Sequence, residues 1–126
     1  MRTKARVMIV DDDDDLLAEL AEVLAGAGYE AVPCSDGSRA ARTALRIDPD
    51  VIVIDIMMPG RNGVQVLAEL RRSAELAATP VVLMSGRCGE AEGERFAKIN
   101  GLAGFLEKPI DPLALIAFLD SVLAGR

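Results

Sequence analysis

Apolar residues gather along this chain in five short runs, Val7 to Val10, Glu30 to Val32, Val51 to Ile54, Val81 to Met84 and Leu102 to Leu106, at intervals of roughly 20 to 30 residues. These runs are rich in β-branched and aliphatic side chains and too short for helices, so they predict strands. Each is followed by a segment with helical spacing. After the first run, Leu16, Leu17, Leu20, Val23 and Leu24 fall on one helical face, and Gly26 and Gly28 end it. Asp36 is placed to cap a second helix and Pro49 to stop it. Gly63 to Arg72 predicts a third, with Val64, Val66, Leu67 and Leu70 as its apolar positions. Glu90 to Lys98 predicts a fourth, weakened in propensity by Gly86, Gly89 and Gly93. Asp111-Pro112 opens a fifth, with N-cap and first-turn residues in their favoured order.

Strand and helix alternate five times, and the strands are continuously apolar. That pattern implies an α/β fold, (βα)5, with a parallel sheet buried on both faces by helices. A five-stranded doubly wound unit fits the order 2-1-3-4-5, which reverses the chain between strands 1 and 3 and puts a crevice at their carboxyl ends. Residues 1–126 read as a single domain, with no linker, effector sequence or low-complexity tract; the biased run Asp11 to Asp15 is the exception.

Composition narrows the function classes. Half of the chain is apolar (51%) while aromatics are only 3%, so aliphatic side chains must build the core. No apolar run approaches the roughly 20 residues of a membrane span, and the basic start Met-Arg-Thr-Lys lacks the long apolar stretch of a secretory signal. A cytoplasmic protein is expected. The net charge of −6 argues against direct contact with nucleic acid, which needs clustered Lys and Arg. Cys34 and Cys88 lie far apart without a CxxC spacing, and the chain has no His, so structural zinc is not expected and the cysteines read as reduced.

The proposed strand order brings Asp11 and Asp12, at the end of strand 1, beside Asp55, at the end of strand 3. Two carboxylates ~4 Å apart repel by about 4 kcal/mol at an effective dielectric of 20, so such a crevice must take up a proton or a cation. Mg²⁺ suits it, because it accepts one or two carboxylates and keeps positions for water and phosphate oxygens. Lys108, after strand 5, adds one positive charge, and three carboxylates, one ammonium and one Mg²⁺ sum to zero. Asp55 can then act as a nucleophile toward phosphorus, with Lys108 and the hydroxyl of Ser85 at the end of strand 4 directed at the phosphoryl oxygens. An EF-hand is excluded, since the acidic run lacks the spaced ligands, the loop Gly and the terminal Glu.

Four motifs in order, Val10-Asp11-Asp12-Asp13, Asp55-Ile56-Met57-Met58-Pro59-Gly60 with Gly63, Ser85-Gly86, and Phe105-Leu106-Glu107-Lys108-Pro109, make the chain resemble a response regulator receiver domain over nearly its whole length. The resemblance implies a flavodoxin-like receiver fold and a phosphorylation switch of a two-component system or phosphorelay, in which Asp55 takes a phosphoryl group from a phosphohistidine on a sensor histidine kinase or phosphotransfer domain. It implies Mg²⁺ held by Asp12, Asp55 and the backbone carbonyl of Met57, with Asp11 acting mainly through water. Lys108 and Ser85 would bind phosphoryl oxygens, the Lys108-Pro109 peptide would be cis, and Phe105 would be a switch aromatic whose ring turns inward with Ser85. Such a domain is a phosphoacceptor that promotes its own phosphoryl transfer and dephosphorylation, not an enzyme in the usual sense. Ser85 stands where Thr is commoner in the family and Gly86 where Ala is, which implies a more mobile loop. Gly101-Leu102-Ala103-Gly104 lacks the acidic pair found in many receivers that dimerise above DNA-binding domains.

Two other classes fit parts of the sequence. A flavodoxin-like cofactor binder shares the fold, but Asp11 to Asp15 would repel a flavin phosphate. An aspartyl-phosphate phosphatase of the dehalogenase type needs Asp-x-Asp after strand 1, which Asp11 and Asp13 satisfy in spacing without the Thr that follows in that family. In the last helix, Leu113, Leu115, Ile116, Phe118, Leu119, Val122 and Leu123 form a stripe wider than one core-facing side needs. Part of it, with helix 4 and Phe105, is expected to serve self-association or an effector.

Overall fold

A computed structural model describes residues 3–56 and 63–124. Five parallel strands, β1 (Arg6–Val10), β2 (Glu30–Cys34), β3 (Val51–Asp55), β4 (Val81–Ser85) and β5 (Gly104–Glu107), form one sheet in the order β2-β1-β3-β4-β5. The helices are α1 (Asp14–Gly26), α2 (Ala40–Ile47), α3 (Gly63–Arg72), α4 (Glu90–Ile99) and α5 (Pro112–Ala124). The (βα)5 alternation and the 2-1-3-4-5 order are therefore those the sequence predicts.

Alternate strand residues serve opposite layers, as the two-residue period of a strand requires. Met8, Val10, Ile52 and Ile54 pack with Val66, Leu67 and Leu70 of α3 and with Ala40 and Ala44 of α2. Val7, Ile9, Val51, Val53, Val82 and Met84 pack with Leu17, Leu20 and Leu24 of α1 and with Leu115 and Leu119 of α5. Every residue of β3 and β4 is buried, which explains their unbroken apolar runs. A third, smaller cluster joins Leu83, Ala97 of α4 and Phe105.

Several local boundaries have clear causes. Asp13 caps α1, its carboxylate accepting from the amides of Asp15 and Leu16, both at 3.1 Å. The helix closes in a Schellman motif: Tyr29 N–H donates to Leu24 C=O (2.9 Å) and Gly28 N–H to Ala25 C=O (3.1 Å), with Gly28 at φ 93°. Asp36 caps a 3-10 turn, Gly37–Arg39, that precedes α2, and not α2 itself. That helix ends on Asp48, in the left-handed region at φ 51°, one residue before Pro49. β5 begins at Gly104, not Leu102. Leu102 instead donates its N–H to Ala97 C=O and packs under α4, which delays the strand by two residues. The wide stripe of α5 is largely used inward: Leu115 and Leu119 are buried and Ile110, Phe118, Val122 and Leu123 lean on the same core, whereas Leu113 is 77% exposed.

Candidate functional site

The sheet register assembles the site. Val10 lies opposite Ile54 in the parallel β1–β3 pair, so one residue further on Asp11 and Asp55 leave the sheet side by side. On the other flank Asp55 pairs with Met84 and Ser85 pairs with Glu107, which puts Ser85 and Lys108 at the same carboxyl edge. Backbone bonds hold these ends: Asp11 N–H donates to Cys34 C=O (3.1 Å), Ile56 N–H to Met84 C=O (3.1 Å) and Lys108 N–H to Ser85 C=O (2.9 Å).

Asp11 is fully buried and Asp55 nearly so, while Asp12 is exposed. One carboxylate oxygen from each of Asp11, Asp12 and Asp55 lies within 4.8 Å of the others, a group able to hold a metal ion. The ammonium of Lys108 bridges two of them, donating to Asp11 Oδ2 at 2.7 Å and to Asp55 Oδ2 at 3.2 Å. Burial lowers the pKa of Lys108, but the hydrogen bond and charge of Asp11, followed by those of Asp55, outweigh it and hold the pKa above 10.5. The lysine is thus cationic across the physiological range. The other oxygen of Asp11 accepts from Asp13 N–H at 2.9 Å, which fixes the carboxylate's orientation. Asp13 is itself committed, through one carboxylate oxygen, to the α1 cap.

Ser85 is completely buried, and its Oγ accepts from Arg87 N–H at 3.0 Å. That contact uses an acceptor lone pair and leaves the hydroxyl hydrogen for another partner. Gly63, the first residue of α3, donates its N–H to Ile56 C=O at 2.7 Å. A Cβ there would come within 2.6 Å of Ile56 Cα and 2.7 Å of Asp55 carbonyl oxygen, so glycine lets α3 abut the backbone that carries Asp55. Met57 lies outside the described residues. The Lys108-Pro109 peptide is cis. Phe105, away from the acidic pocket, is 5% exposed with its ring turned into the cluster with Leu83 and Ala97.

The structure therefore brings Asp11, Asp12, Asp55 and Lys108 together and places Ser85 at the same sheet edge. Two contributors were missed from sequence. The Arg87 amide that orients Ser85 is a backbone group and carries no sequence signal. Gly93 reads as a weak point in α4, yet it is one of that helix's two buried positions, facing the Phe105 ring.

Residues 7–120 match the family described as the response regulator receiver domain. The chain is similar to protein PilH of Pseudomonas aeruginosa, with 33% identity over 121 residues covering 96% of this chain and 99% of PilH. It is also similar to the transcriptional regulatory protein PrrA of Mycobacterium tuberculosis, 37% identical over 125 residues, covering 98% of this chain and 52% of PrrA, so it spans about half of that longer relative. The solved structure of the chemotaxis response regulator CheY4 of Vibrio cholerae superposes with a TM-score of 0.86 at 30% identity, covering 96% of this chain and 100% of that one. Among the described residues no helix is long and apolar enough to cross a membrane. The match runs from the first strand into the last helix and takes in the whole acidic edge: the chain belongs to the receiver domain family of two-component response regulators.

Proposed function

We propose that this chain is a phosphorylation-controlled signalling switch in which Asp55 accepts a phosphoryl group from a phosphohistidine on a sensor histidine kinase or a histidine phosphotransfer domain. The observation that carries this reading is the Lys108 ammonium held between Asp11 and Asp55 at 2.7 and 3.2 Å, a cation already beside the candidate nucleophile. An Asp55 carboxylate oxygen attacks phosphorus, the P–N bond to the donor imidazole breaks, and the imidazole nitrogen leaves with the bonding pair. Lys108 and the Ser85 hydroxyl then serve the equatorial oxygens, where charge accumulates.

The donor set fits a hard divalent cation, because it consists of carboxylate oxygens and, among the described residues, three carboxylates face one ammonium. Asp12 and Asp55 would hold Mg²⁺, with Asp11 acting through water and the Met57 carbonyl as a further ligand. Bound there, the ion would supply charge neutralisation for the incoming phosphoryl group. The domain promotes its own phosphorylation and dephosphorylation. Its message passes from Ser85 to the surface of α4, β5 and α5, where an effector or a second copy is received, in the cytoplasm and without direct nucleic-acid contact.

Labelling with a phosphohistidine donor, followed by mapping of the acyl phosphate, tests the assignment. Label on residue 55, lost in Asp55→Asn, is expected. Label that survives Asp55→Asn and disappears only in Asp11→Asn would overturn it in favour of phosphatase-type chemistry on strand β1.

A further inference from the structure

Gly93 is helical without a positive φ; the described glycines with one are Gly28 and Gly101. Backbone conformation therefore does not demand glycine at 93, and alanine would favour the helix. The space beside it does demand glycine. A Cβ at Gly93 would lie well under 3.0 Å from Cε1, Cε2 and Cζ of Phe105, closer than real Cβ atoms approach other heavy atoms. The ring rests on the α4 backbone, between Gly93 and Ala97, the two buried positions of that helix one turn apart. The contact is with the far end of a side chain that can swing on χ1, so an added methyl would be relieved by moving the ring out of the cluster.

We propose that Gly93 is a positioning residue: the bare backbone it gives α4 is the seat in which the Phe105 ring lies inward. It follows that α4 and the ring travel as one body. Any change transmitted from Ser85 displaces α4 with Phe105 seated in it. Gly104 gives the arrangement a second closure. A Cβ there would overlap the ring of Phe118 from α5, so the strand residue beside Phe105 is also kept bare for an aromatic face.

Fluorophenylalanine labelling tests this, since the chain has three phenylalanines, Phe96, Phe105 and Phe118, each assignable by substitution to Leu. In the unmodified chain, with no phosphate mimic present, the Phe105 fluorine resonance is expected to show no solvent isotope shift. In Gly93→Ala it should acquire one. A cycle of unfolding midpoints gives an independent reading: Gly93→Ala lowers the midpoint when Phe105 is present and raises it in a Phe105→Ala background, where only helix propensity remains. A solvent-exposed Phe105 resonance in the unmodified chain, or a raised midpoint in both backgrounds, would overturn the proposal. If Gly93→Ala does not fold, the double variant decides, and one less stable than Phe105→Ala alone also overturns it. A last arm adds beryllofluoride with Mg²⁺ and rests on the phosphoacceptor reading. The bound fluoride has its own resonance, so its absence counts against that reading alone, whereas its appearance with an inward shift of Phe105 from an exposed position defeats the role given to Gly93.

Discussion

Replacing Lys108 with Met keeps an unbranched apolar stem and removes the ammonium that, among the described residues, bridges Asp11 and Asp55. At an effective dielectric of 20, an ammonium 2.7 and 3.2 Å from two carboxylate oxygens is attracted by about 6 and about 5 kcal/mol. Each pair of carboxylates within 4.8 Å is repelled by at least about 3.5 kcal/mol on the same scale. The attraction of the lysine is thus of the same order as the repulsion among Asp11, Asp12 and Asp55, and without it the fully buried Asp11 loses its ammonium partner. Desolvation takes back part of the gross attraction. Removing one partner of a buried pair costs about 3–5 kcal/mol, and because Lys108 keeps 22% of its side chain exposed the lower end applies, about 3 kcal/mol. For a domain of this size that corresponds to a fall of about 10 °C in unfolding midpoint. The assay is thermal unfolding at neutral pH in EDTA, repeated with Mg²⁺ in excess. The variant should recover more from Mg²⁺ than the parent does, because the ion then replaces the positive charge that Lys108 supplied. A variant as stable as the parent in EDTA would refute the charge balance on which the pocket's chemistry rests.

Three further outcomes are expected. Asp13→Ala removes the α1 cap and should cost about 1 kcal/mol in denaturant unfolding, with the Lys108 contacts intact. Gly63→Ala drives a methyl into the Asp55 and Ile56 backbone, which cannot swing aside, and should cost more stability than the cap and slow phosphorylation as well. Tyr29, whose hydroxyl donates to Asp120, has its pKa raised by burial, and further by that hydrogen bond and charge, from 10.0 to about 12. The folded state keeps this proton where the unfolded state loses it, so the stabilisation is complete below pH 10 and is lost as pH rises toward about 12. Tyr29 is the sole tyrosine and there is no tryptophan, so phenolate absorbance reads it directly; Asp120→Asn should move the midpoint down toward 10.

Strands and strand order were legible because fully buried parallel strands leave unbroken apolar runs, as in Val51 to Ile54 and Val81 to Met84. The acidic edge was legible for the same reason: Asp55 and Ser85 end their strands and Asp11 and Lys108 directly follow theirs, so strand order determines which of them meet. What escaped lay in contacts between distant surfaces. The start of β5 depends on Leu102 turning under α4, and Asp36 serves a 3-10 turn that no apolar period reveals. A glycine inside a helix signals low propensity in one dimension. That Gly93 is shaped to a ring twelve residues further on is visible only when α4 and β5 are laid together. The breadth of the α5 stripe is another case: Phe118, Val122 and Leu123 are drawn inward by a core poor in aromatics.

Because the reactive side chains all leave the sheet at its carboxyl edge, anchored by strand backbone on either side, none of them is supplied by the outer face of a helix. On the proposed reading, chemistry and addressing are thereby carried on separate parts of the molecule. The exposed positions of the helices can be rewritten for a new correspondent while the pocket stays untouched. The chain matches nearly the whole length of PilH and about half of the longer PrrA. For anyone redesigning the wiring, the helical surface is the place to cut, and the strand ends are the place to leave alone.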